Sequence, residues 1–409
     1  MLASNEGSGT FTSGGLRLAR RRPRLAIIVS HPIQYFVPLY QRLAARDDIA
    51  IKVFFTWHAG EAPVEDLGFK RSIAWDIPLT HGYEHERVPN AAWNPGTHHF
   101  LGIINPSLVR QVRQWKPDVV HLTGWAWYSH LSALRKFHQL GIPVLFRGDS
   151  HLLDGASGPR WWLKRTVLRR VYSRPTRFLV VGQANRKYYE AFGVEAARLC
   201  ECPHSIDVAR FMGTGNLYEE QAAEWRRQLG LGAHRRIAVF AGKFEANKRP
   251  LELMRAVQIR QSDDLVLILV GGGELEPEIH TMAAAYPERF VVLPFQNQSR
   301  MPIVYRLGNF FILPSAYGES WGLAVNEALA CGRPVLVSDR VGCAADLIDD
   351  SCGRVFSWSD TGALERMLDE MSQLNLAKMS DEASEHAWHF DIGVTEATLV
   401  QCILQVCDR

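Results

Sequence analysis

The chain has 409 residues, of which 47% are hydrophobic and 22% are charged. This length predicts two or three folded domains, and the composition excludes a mostly disordered chain or a collagen-like one. The net charge of +3 is unevenly distributed, because residues 1–205 contain 27 Lys and Arg against 15 Asp and Glu, whereas the remainder has a net charge of −9. Two domains of opposite charge balance are the simplest interpretation.

The first 23 residues are predicted to be a flexible basic leader. They are rich in Gly and Ser and contain no apolar stretch of the kind that a signal peptide needs. The seven cysteines have no metal-binding spacing, and an odd number without a secretory signal predicts reduced thiols in a cytoplasmic protein. The longest apolar runs have the length of a strand, so no segment is expected to cross a membrane.

Short apolar runs that are rich in β-branched residues alternate with amphipathic segments along the whole chain. In the first half the predicted strands are residues 25–30, 50–57, 118–123, 144–147 and 178–181. In the second half they are residues 237–242, 265–270, 290–295, 310–313 and 334–338. This alternation predicts an α/β fold with two doubly wound, Rossmann-like domains that face each other across a cleft.

The turn formers near residues 203–215 mark the linker between the two series of strands. We therefore expect an N-terminal domain over residues 24–205 and a C-terminal domain over residues 206–387. The last segment, residues 388–409, is expected to form a helix that crosses back to the first domain.

Two strand ends in the first half carry polar residues that are candidates for chemistry. His31 follows the first strand, where it can hydrogen-bond a ligand in the cleft or can simply fix the loop ahead of Pro32. Asp149 follows the strand at residues 144–147 and is a candidate carboxylate at the cleft, although an Asp after a Gly is also an ordinary turn or N-cap residue. His121, within a strand, is interpreted as a packed histidine rather than a catalytic one.

The stretch of residues 160–177 contains seven basic residues and no acidic one. Leu163, Val167 and Val171 recur at helical spacing and predict an apolar face that packs on the sheet or on a membrane. Basic residues with tryptophans at the edge are typical of an interfacial helix on anionic lipid. They are equally typical of phosphate binding in nucleic acids and of an ordinary surface helix, and these alternatives stay open.

The loop after the first strand of the second half is a candidate diphosphate site. Gly242 allows a tight turn, and Lys243 and Lys248 follow it at the same sheet edge. Two ammonium groups that converge on a cleft suit a diphosphate, although a pair of solvated lysines is a common surface pattern.

Residues 315–339 give the strongest signal. A strand ends, a turn contains Glu319, and a helix begins near Gly322 and Leu323 and carries Glu327. The first N–H groups of such a helix suit a phosphate, and the two carboxylates suit the hydroxyl pairs of a ribose and of a sugar. The alternative is a helix-start carboxylate that complements the helix dipole and a second one on a solvated face.

In the second half these residues resemble retaining glycosyltransferase family 4, whose members have the GT-B fold. The resemblance includes Gly242, Lys243 and Lys248, the glycine-rich turn at residues 271–274, and Glu319 followed eight positions later by Glu327. It is weaker in the first half, where residues 31–34 resemble a subset of the family that carries a His-Pro-Ile-Gln signature. The family usually has Arg at the position of Lys243, so the charge is kept but bidentate phosphate contact is lost.

The resemblance implies a retaining, metal-independent hexosyltransferase that uses a nucleoside diphosphate sugar, without a cofactor, in polysaccharide, glycolipid or related biosynthesis. It implies that Glu327 holds the ribose, Glu319 the transferred sugar, Lys243 and Lys248 the diphosphate, and that Phe295 borders the base. It also implies that the domain over residues 24–205 binds the acceptor and that the domain over residues 206–387 binds the donor. Asp149 is then the preferred acceptor-side carboxylate, and His31 is a candidate to bind the diphosphate or the acceptor. The expected acceptor is a glycan or a lipid-linked molecule, and the expected location is the cytoplasm or the inner face of the membrane. No nucleic-acid partner is expected. The alternatives are a nucleotide-sugar epimerase of the same fold and a non-catalytic protein that binds phosphate or nucleic acid.

Overall fold

The structure is a computed structural model that describes residues 22–57, 64–66, 68–155, 158–232, 235–262 and 264–407. Residues 1–21 of the predicted leader lie outside this described part of the chain.

The first half of the chain forms one large parallel sheet and a separate hairpin. Its strands are β1 (Arg24–Val29), β2 (Ala50–Phe55), β3 (Val64–Asp66), β4 (Arg71–Ile73), β5 (His85–Arg87), β6 (Val119–Thr123), β7 (Val144–Arg147), β8 (Arg177–Val180) and β9 (Leu199–Glu201). The large sheet has the order β5-β2-β1-β6-β7-β8-β9, and β3 pairs only with β4, in the antiparallel sense.

The second half forms another parallel sheet. Its strands are β10 (Arg236–Lys243), β11 (Leu265–Gly272), β12 (Phe290–Pro294), β13 (Phe310–Leu313), β14 (Val335–Ser338) and β15 (Gly353–Phe356). Their order is β12-β11-β10-β13-β14-β15. In both sheets the strand order reverses direction beside the first strand of the series, and this is the place where doubly wound sheets bind ligands.

Helices cover both faces of each sheet. The first half contributes α1 (Val37–Ala44), α2 (Leu108–Gln114), α3 (Tyr128–Gln139), α4 (Pro159–Tyr172) and α5 (Gln183–Ala191). The second half contributes α6 (Val208–Met212), α7 (Leu217–Gln228), α8 (Pro250–Gln258), α9 (Glu276–Ala285), α10 (Met301–Arg306), α11 (Leu323–Ala330), α12 (Ala344–Leu347), α13 (Ala363–Gln373), α14 (Leu376–Ala387) and α15 (Ile392–Cys407). Short 3-10 turns lie at Phe100–Gly102, Ala196–Arg198, Ala246–Lys248 and Trp388–Phe390.

The core of each domain consists of two apolar layers, one on each face of its sheet. In β1, Leu25 and Ile27 enter one layer and Ala26 and Ile28 enter the other, because successive side chains of a strand point to opposite faces. The α/β prediction with two doubly wound domains is confirmed. Helix α15 contributes Ile403 to the same layer as Leu25, so the last helix packs against the first domain.

Helix α4 is oriented differently from the prediction. Val171 is buried together with Leu168 and Tyr172, but Leu163 and Val167 are 69% and 48% exposed. Residues four apart on a helix are rotated by about 40° from each other, so a series at this spacing drifts around the helix and only its last member reaches the sheet. Of the three residues predicted to form an apolar face, only Val171 therefore packs on the sheet, and Leu163 and Val167 lie on the solvent side.

Two further properties concern the whole described chain. No helix within the described ranges is long and apolar enough to span a lipid bilayer. None of the seven cysteines, all of which lie in those ranges, forms a disulfide bond.

Candidate functional site

A cavity of about 390 Å³ lies between the two domains, where the carboxyl ends of the parallel strands face each other. Residues of both domains line it. Those from the first domain are Ile33, Gln34, Tyr35, Phe36, Phe69, Trp75, Asp149 and His204. The second domain contributes, among others, Gly242, Lys243, Lys248, Gly271, Phe295, Tyr305, Glu319, Trp321, Gly322, Leu323 and Glu327. The structure thus brings together every site residue singled out in the second half of the sequence.

Each of the two lysines in the cavity is paired with a carboxylate. Lys243 is the last residue of β10, and its Nζ lies 2.9 Å from Oδ1 of Asp66 in the first domain. Lys248 forms a hydrogen-bonded ion pair with Oε2 of Glu319, which also accepts a hydrogen bond from Ser315 Oγ at 3.3 Å. Each of the two expected diphosphate cations is therefore neutralised by a carboxylate, and that of Lys248 is the expected sugar-binding residue Glu319.

Glu327 is buried on α11, with only 1% of its surface exposed. Its Oε2 accepts a hydrogen bond from the hydroxyl of Tyr305 at 2.6 Å, whereas Oε1 has no hydrogen-bond partner within the described chain. Burial raises the pKa of Glu327 to about 7, and Tyr305 and Arg210 only partly oppose this. A buried carboxylate with an unsatisfied oxygen at a cavity wall is suited to accept a hydrogen bond from a bound hydroxyl.

The start of α11 depends on Gly322. This residue has a φ of +97°, and a Cβ there would lie 2.9 Å from Val341 and 3.1 Å from Leu313. Only glycine adopts this conformation in such a confined place without strain. The turn places the first residues of α11, including Leu323, at the cavity wall, so the positive end of the helix dipole is near the lysines.

The loop after β1 enters the cavity through Tyr35 rather than through His31. His31 contacts Ser30 Oγ at 2.9 Å and the ring of Trp57 at 5.4 Å, and it is not among the residues that line the cavity. Tyr35 does line it, and burial together with the nearby Glu327 raises the pKa of its hydroxyl. The sequence pattern around residues 31–34 located this loop, of which Ile33 and Gln34 also line the cavity, but it did not single out Tyr35. The role expected for His31 stays a prediction.

Asp149 is partly exposed and lies beside two buried residues, Arg147 and His204. Arg147 Nη2 lies 3.2 Å from His204 Nδ1, and His204 Nε2 lies 3.4 Å from Asp149 Oδ1. An arginine can only donate, so Nδ1 accepts and Nε2 carries the proton that faces Asp149. Burial lowers the pKa of His204. Although burial opposes ionisation of Asp149 as well, His204 and Arg147 lower its pKa to about 2, so it remains a carboxylate.

A second cavity of about 180 Å³ adjoins Asp149 within the first domain. Asp149 lines both cavities, and Trp125, Tyr172 and Tyr189 supply aromatic surface to the smaller one. This arrangement suits a molecule with hydroxyl groups and apolar ring faces, because aromatic side chains pack on such faces while the carboxylate accepts a hydrogen bond.

Other side chains clarify what the sequence could and could not locate. His121 is buried, neither of its ring nitrogens has a hydrogen-bond partner in the described chain, and burial lowers its pKa to about 3. It is therefore a packed residue. Tyr305, His204 and Asp66 were missed as site residues, and only His204 carried a signal, as a polar residue in the turn-rich linker. The part of the chain that the structure describes contains no cluster of three or more His, Cys, Asp or Glu that could hold a metal ion.

Two family models match the chain. Residues 221–388 match the model "Glycosyl transferases group 1", and residues 78–203 match the model "Glycosyl transferase 4-like domain". The D-inositol 3-phosphate glycosyltransferase of Nocardia farcinica (strain IFM 10152) is 29% identical over 230 residues, which are 52% of this chain and 49% of that protein. The enzyme of the same name from Mycolicibacterium vanbaalenii is 32% identical over 221 residues, which are 50% of this chain and 47% of that protein. The chain thus spans about half the length of these relatives.

A solved structure covers nearly the whole chain. The crystal structure of Anabaena Alr3699/HepE in complex with UDP superimposes with a TM-score of 0.70 over 94% of this chain and 100% of that one, at 17% sequence identity. The likeness over both domains shows that the chain has the GT-B fold.

Proposed function

We propose that this chain transfers a glycosyl group from a nucleoside diphosphate sugar to an acceptor hydroxyl, with retention of the anomeric configuration. The observation that carries this proposal is the cavity in which Lys243, Lys248, Glu319 and Glu327 meet beside the start of α11. These groups supply cations for a diphosphate and acceptors for sugar hydroxyls. Two observations support the same substrate class. The relatives are named D-inositol 3-phosphate glycosyltransferases, and an Alr3699/HepE structure contains UDP and glucose.

In the proposed reaction the leaving diphosphate carries the charge that develops as the glycosidic bond breaks. Lys243, Lys248 and the N-terminus of α11 stabilise this charge in place, and such preorganised electrostatics is commonly the largest catalytic term. The acceptor attacks from the face on which the diphosphate departs, and a diphosphate oxygen takes the acceptor proton. We propose that the lysines and the helix do the work of a divalent cation, so that the reaction is metal-independent.

The acceptor is proposed to bind at Asp149. Its carboxylate lies between the larger cavity and the smaller aromatic one, so an acceptor sugar in the smaller cavity can direct a hydroxyl toward the donor. An epimerase needs only a donor site, and a protein that merely binds phosphate has no use for Glu319 and Glu327 beside the lysines. The second cavity therefore favours transfer over both alternatives. A glycan or a lipid-linked glycan is the proposed acceptor class.

The test is a transfer assay in the presence of EDTA. Nucleoside diphosphate sugars are first screened for thermal stabilisation, since a ligand at about 100 times its Kd adds about 2.7 kcal/mol. The stabilising donor is then incubated with glycan and glycolipid acceptors, and NMR of the product reads its anomeric configuration. We expect transfer with retention that EDTA leaves intact. Activity that is lost in EDTA and restored by Mg²⁺ contradicts metal independence, an inverted product contradicts retention, and isomerisation of the donor without an acceptor favours the epimerase.

We further propose that α4 places the first domain on an anionic membrane surface. Trp162, Leu163 and Val167 are exposed on this helix, and the basic side chains of Lys164 and Arg170 flank them. Apolar side chains that insert into a lipid interface beside basic ones are the mark of an interfacial helix. The positive net charge of residues 1–205 supports this proposal. A lipid-linked acceptor lies in a membrane, so its use requires such a contact.

Vesicle sedimentation tests the membrane proposal. The protein is expected to bind vesicles that contain anionic lipid and not to bind neutral vesicles. High salt should release it, because exposed charges are screened over ~8–10 Å. Each basic residue near an anionic surface contributes ~1 kcal/mol, so Arg169→Glu with Arg170→Glu should weaken binding by about 30-fold or more. Arg110→Glu with Arg113→Glu, on the exposed side of α2, is the matched control. Equal binding to both kinds of vesicle, or an equal effect of the control, would leave a soluble acceptor as the better account.

A further inference from the structure

A segment of the first domain, residues 68–76, lies against the second domain at one end of the larger cavity; we refer to it as the strap. Two of its residues are held by the loop that follows β12. Asn297 Nδ2 donates to the carbonyl oxygen of Ala74 at 2.7 Å, and the backbone N–H of Ser299 donates to the carboxylate of Asp76 at 3.2 Å. The contacts between the two domains therefore fix the position of the strap.

The strap and the end of β12 form an aromatic wall of the cavity. The ring of Phe69 meets the ring of Phe295 edge to face with 4.8 Å between centroids, and Trp75 lies 6.4 Å from Phe295. The guanidinium of Arg71 lies 5.7 Å from the centre of the Phe295 ring. All three rings line the cavity. Flat aromatic surfaces beside a planar cation suit a planar, polarisable ligand, because stacking on them tolerates any such ring.

The order of the strands sets the distance between this aromatic wall and Glu319, the residue proposed to bind the transferred sugar. Glu319 follows β13, Lys243 ends β10, Gly271 lies in β11, and Phe295 follows β12, and these strands are consecutive neighbours. Neighbouring strands are ~4.8 Å apart, so the aromatic wall lies about 14 Å from Glu319 across the sheet edge. A sugar at Glu319 and a diphosphate at Lys243 leave the wall for the other end of the ligand.

The close approach of the strap to the diphosphate site supports this order. Lys243 Nζ lies 5.3 Å from the centre of the Phe69 ring and 2.9 Å from Asp66, which itself accepts hydrogen bonds from the backbone N–H groups of Gly68 and Phe69. The first domain thus reaches both the phosphate-binding lysine and the space beyond it.

We infer that Phe69 and Trp75 of the strap, together with Phe295, bind the nucleobase of the donor, so that the base is held by both domains. This inference rests on the proposed function, because it assigns one end of the same donor site. It makes Phe69 and Trp75 donor-binding residues that the first domain contributes.

The test compares ligands with and without a base. The affinities of UDP, ADP, GDP, CDP and inorganic pyrophosphate are measured by calorimetry for the wild type and for Phe69→Leu, Trp75→Leu and Phe69→Tyr. Removing one stacking ring should weaken the affinity for the preferred nucleoside diphosphate by about 5-fold to 150-fold. Pyrophosphate affinity should stay within about twofold, and Phe69→Tyr should bind the nucleotide like the wild type. Trp93→Leu, at a fully exposed aromatic residue of the same domain, is the control, and unfolding temperatures verify that each variant is folded.

The outcomes separate this inference from the proposed function. Nucleotide affinities of the two Leu variants that equal the wild type, or a loss in Phe69→Tyr as large as in Phe69→Leu, overturn the inference and leave the glycosyltransferase proposal standing. An equal loss of pyrophosphate affinity would mean that the strap acts on the diphosphate instead, and this also overturns it. A wild type that binds none of the four nucleotides overturns both.

Discussion

The Lys248→Met variant is expected to lower kcat by about 100-fold or more, the loss that follows removal of one preorganised group from a developing negative charge. Lys248 is only partly exposed at the cavity wall, where water screens its charge little. Steady-state kinetics with a saturating donor measures the effect. Lys378→Met, at an exposed lysine of α14, is the matched control and should leave kcat unchanged. A kcat for Lys248→Met near that of the wild type removes this residue from the mechanism.

The ion pair with Glu319 offers a second explanation of any loss, since an unpaired carboxylate would repel the diphosphate. A double variant, Lys248→Met with Glu319→Gln, separates the two. If Lys248 acts only by neutralising Glu319, the double variant should be no slower than Glu319→Gln alone. If Lys248 acts on the leaving diphosphate, as proposed, the double variant should be slower than Glu319→Gln alone by most of the loss seen in Lys248→Met, and equal rates would contradict the proposal.

The sequence located the central strands of both sheets because these strands are buried on both faces. β10, β11 and β13 consist almost entirely of apolar residues, and such runs predict strands that helices cover on both sides. The edge strands β5 and β9 were missed, since each has only three residues, among them charged ones, and is held by hydrogen bonds to a single neighbour. Nothing in such short segments distinguishes a strand from a loop.

The same distinction holds for the site. Lys243, Glu319 and Glu327 follow buried strands or lie on the helix after one, so their place at the cleft follows from the parallel sheet. Tyr305 and Phe69 reach the cavity only through packing across the fold, from a helix that lacks any motif and from a hairpin outside the main sheets. Their positions depend on contacts between residues distant in sequence, which a single sequence does not encode visibly. The domain limits at residues 205 and 387 and the roles of the site residues stay predictions.

Glu327→Ala is expected to weaken donor binding by about 10-fold to 150-fold. A hydrogen bond to a charged group contributes about 1.5–3 kcal/mol, and the variant loses the carboxylate that is proposed to hold the ribose. Calorimetry with the stabilising nucleoside diphosphate measures the affinity. Glu319→Ala is the comparison, because it should reduce turnover more than nucleotide affinity. An unchanged nucleotide affinity in Glu327→Ala would show that the ribose binds elsewhere.

The raised pKa of Glu327 makes the same interaction depend on pH. With a pKa of about 7, Glu327 is mostly protonated at pH 6 and mostly ionised at pH 8, and only the ionised form accepts hydrogen bonds from both ribose hydroxyls. Donor affinity should therefore rise between pH 6 and pH 8, by up to about tenfold, since each pH unit below the pKa reduces the ionised fraction about tenfold. The pKa values of Tyr35 and Tyr305 are raised and that of Asp149 is lowered, so these neighbours do not change charge in this range.

A nucleoside diphosphate sugar is the right probe for this pH dependence because its phosphates stay ionised throughout. Glu327→Gln keeps an oxygen for the Tyr305 hydroxyl but cannot titrate, so its affinity should be flat with pH. A flat profile in the wild type, or the same slope in Glu327→Gln, would show that Glu327 does not bind the donor as a carboxylate.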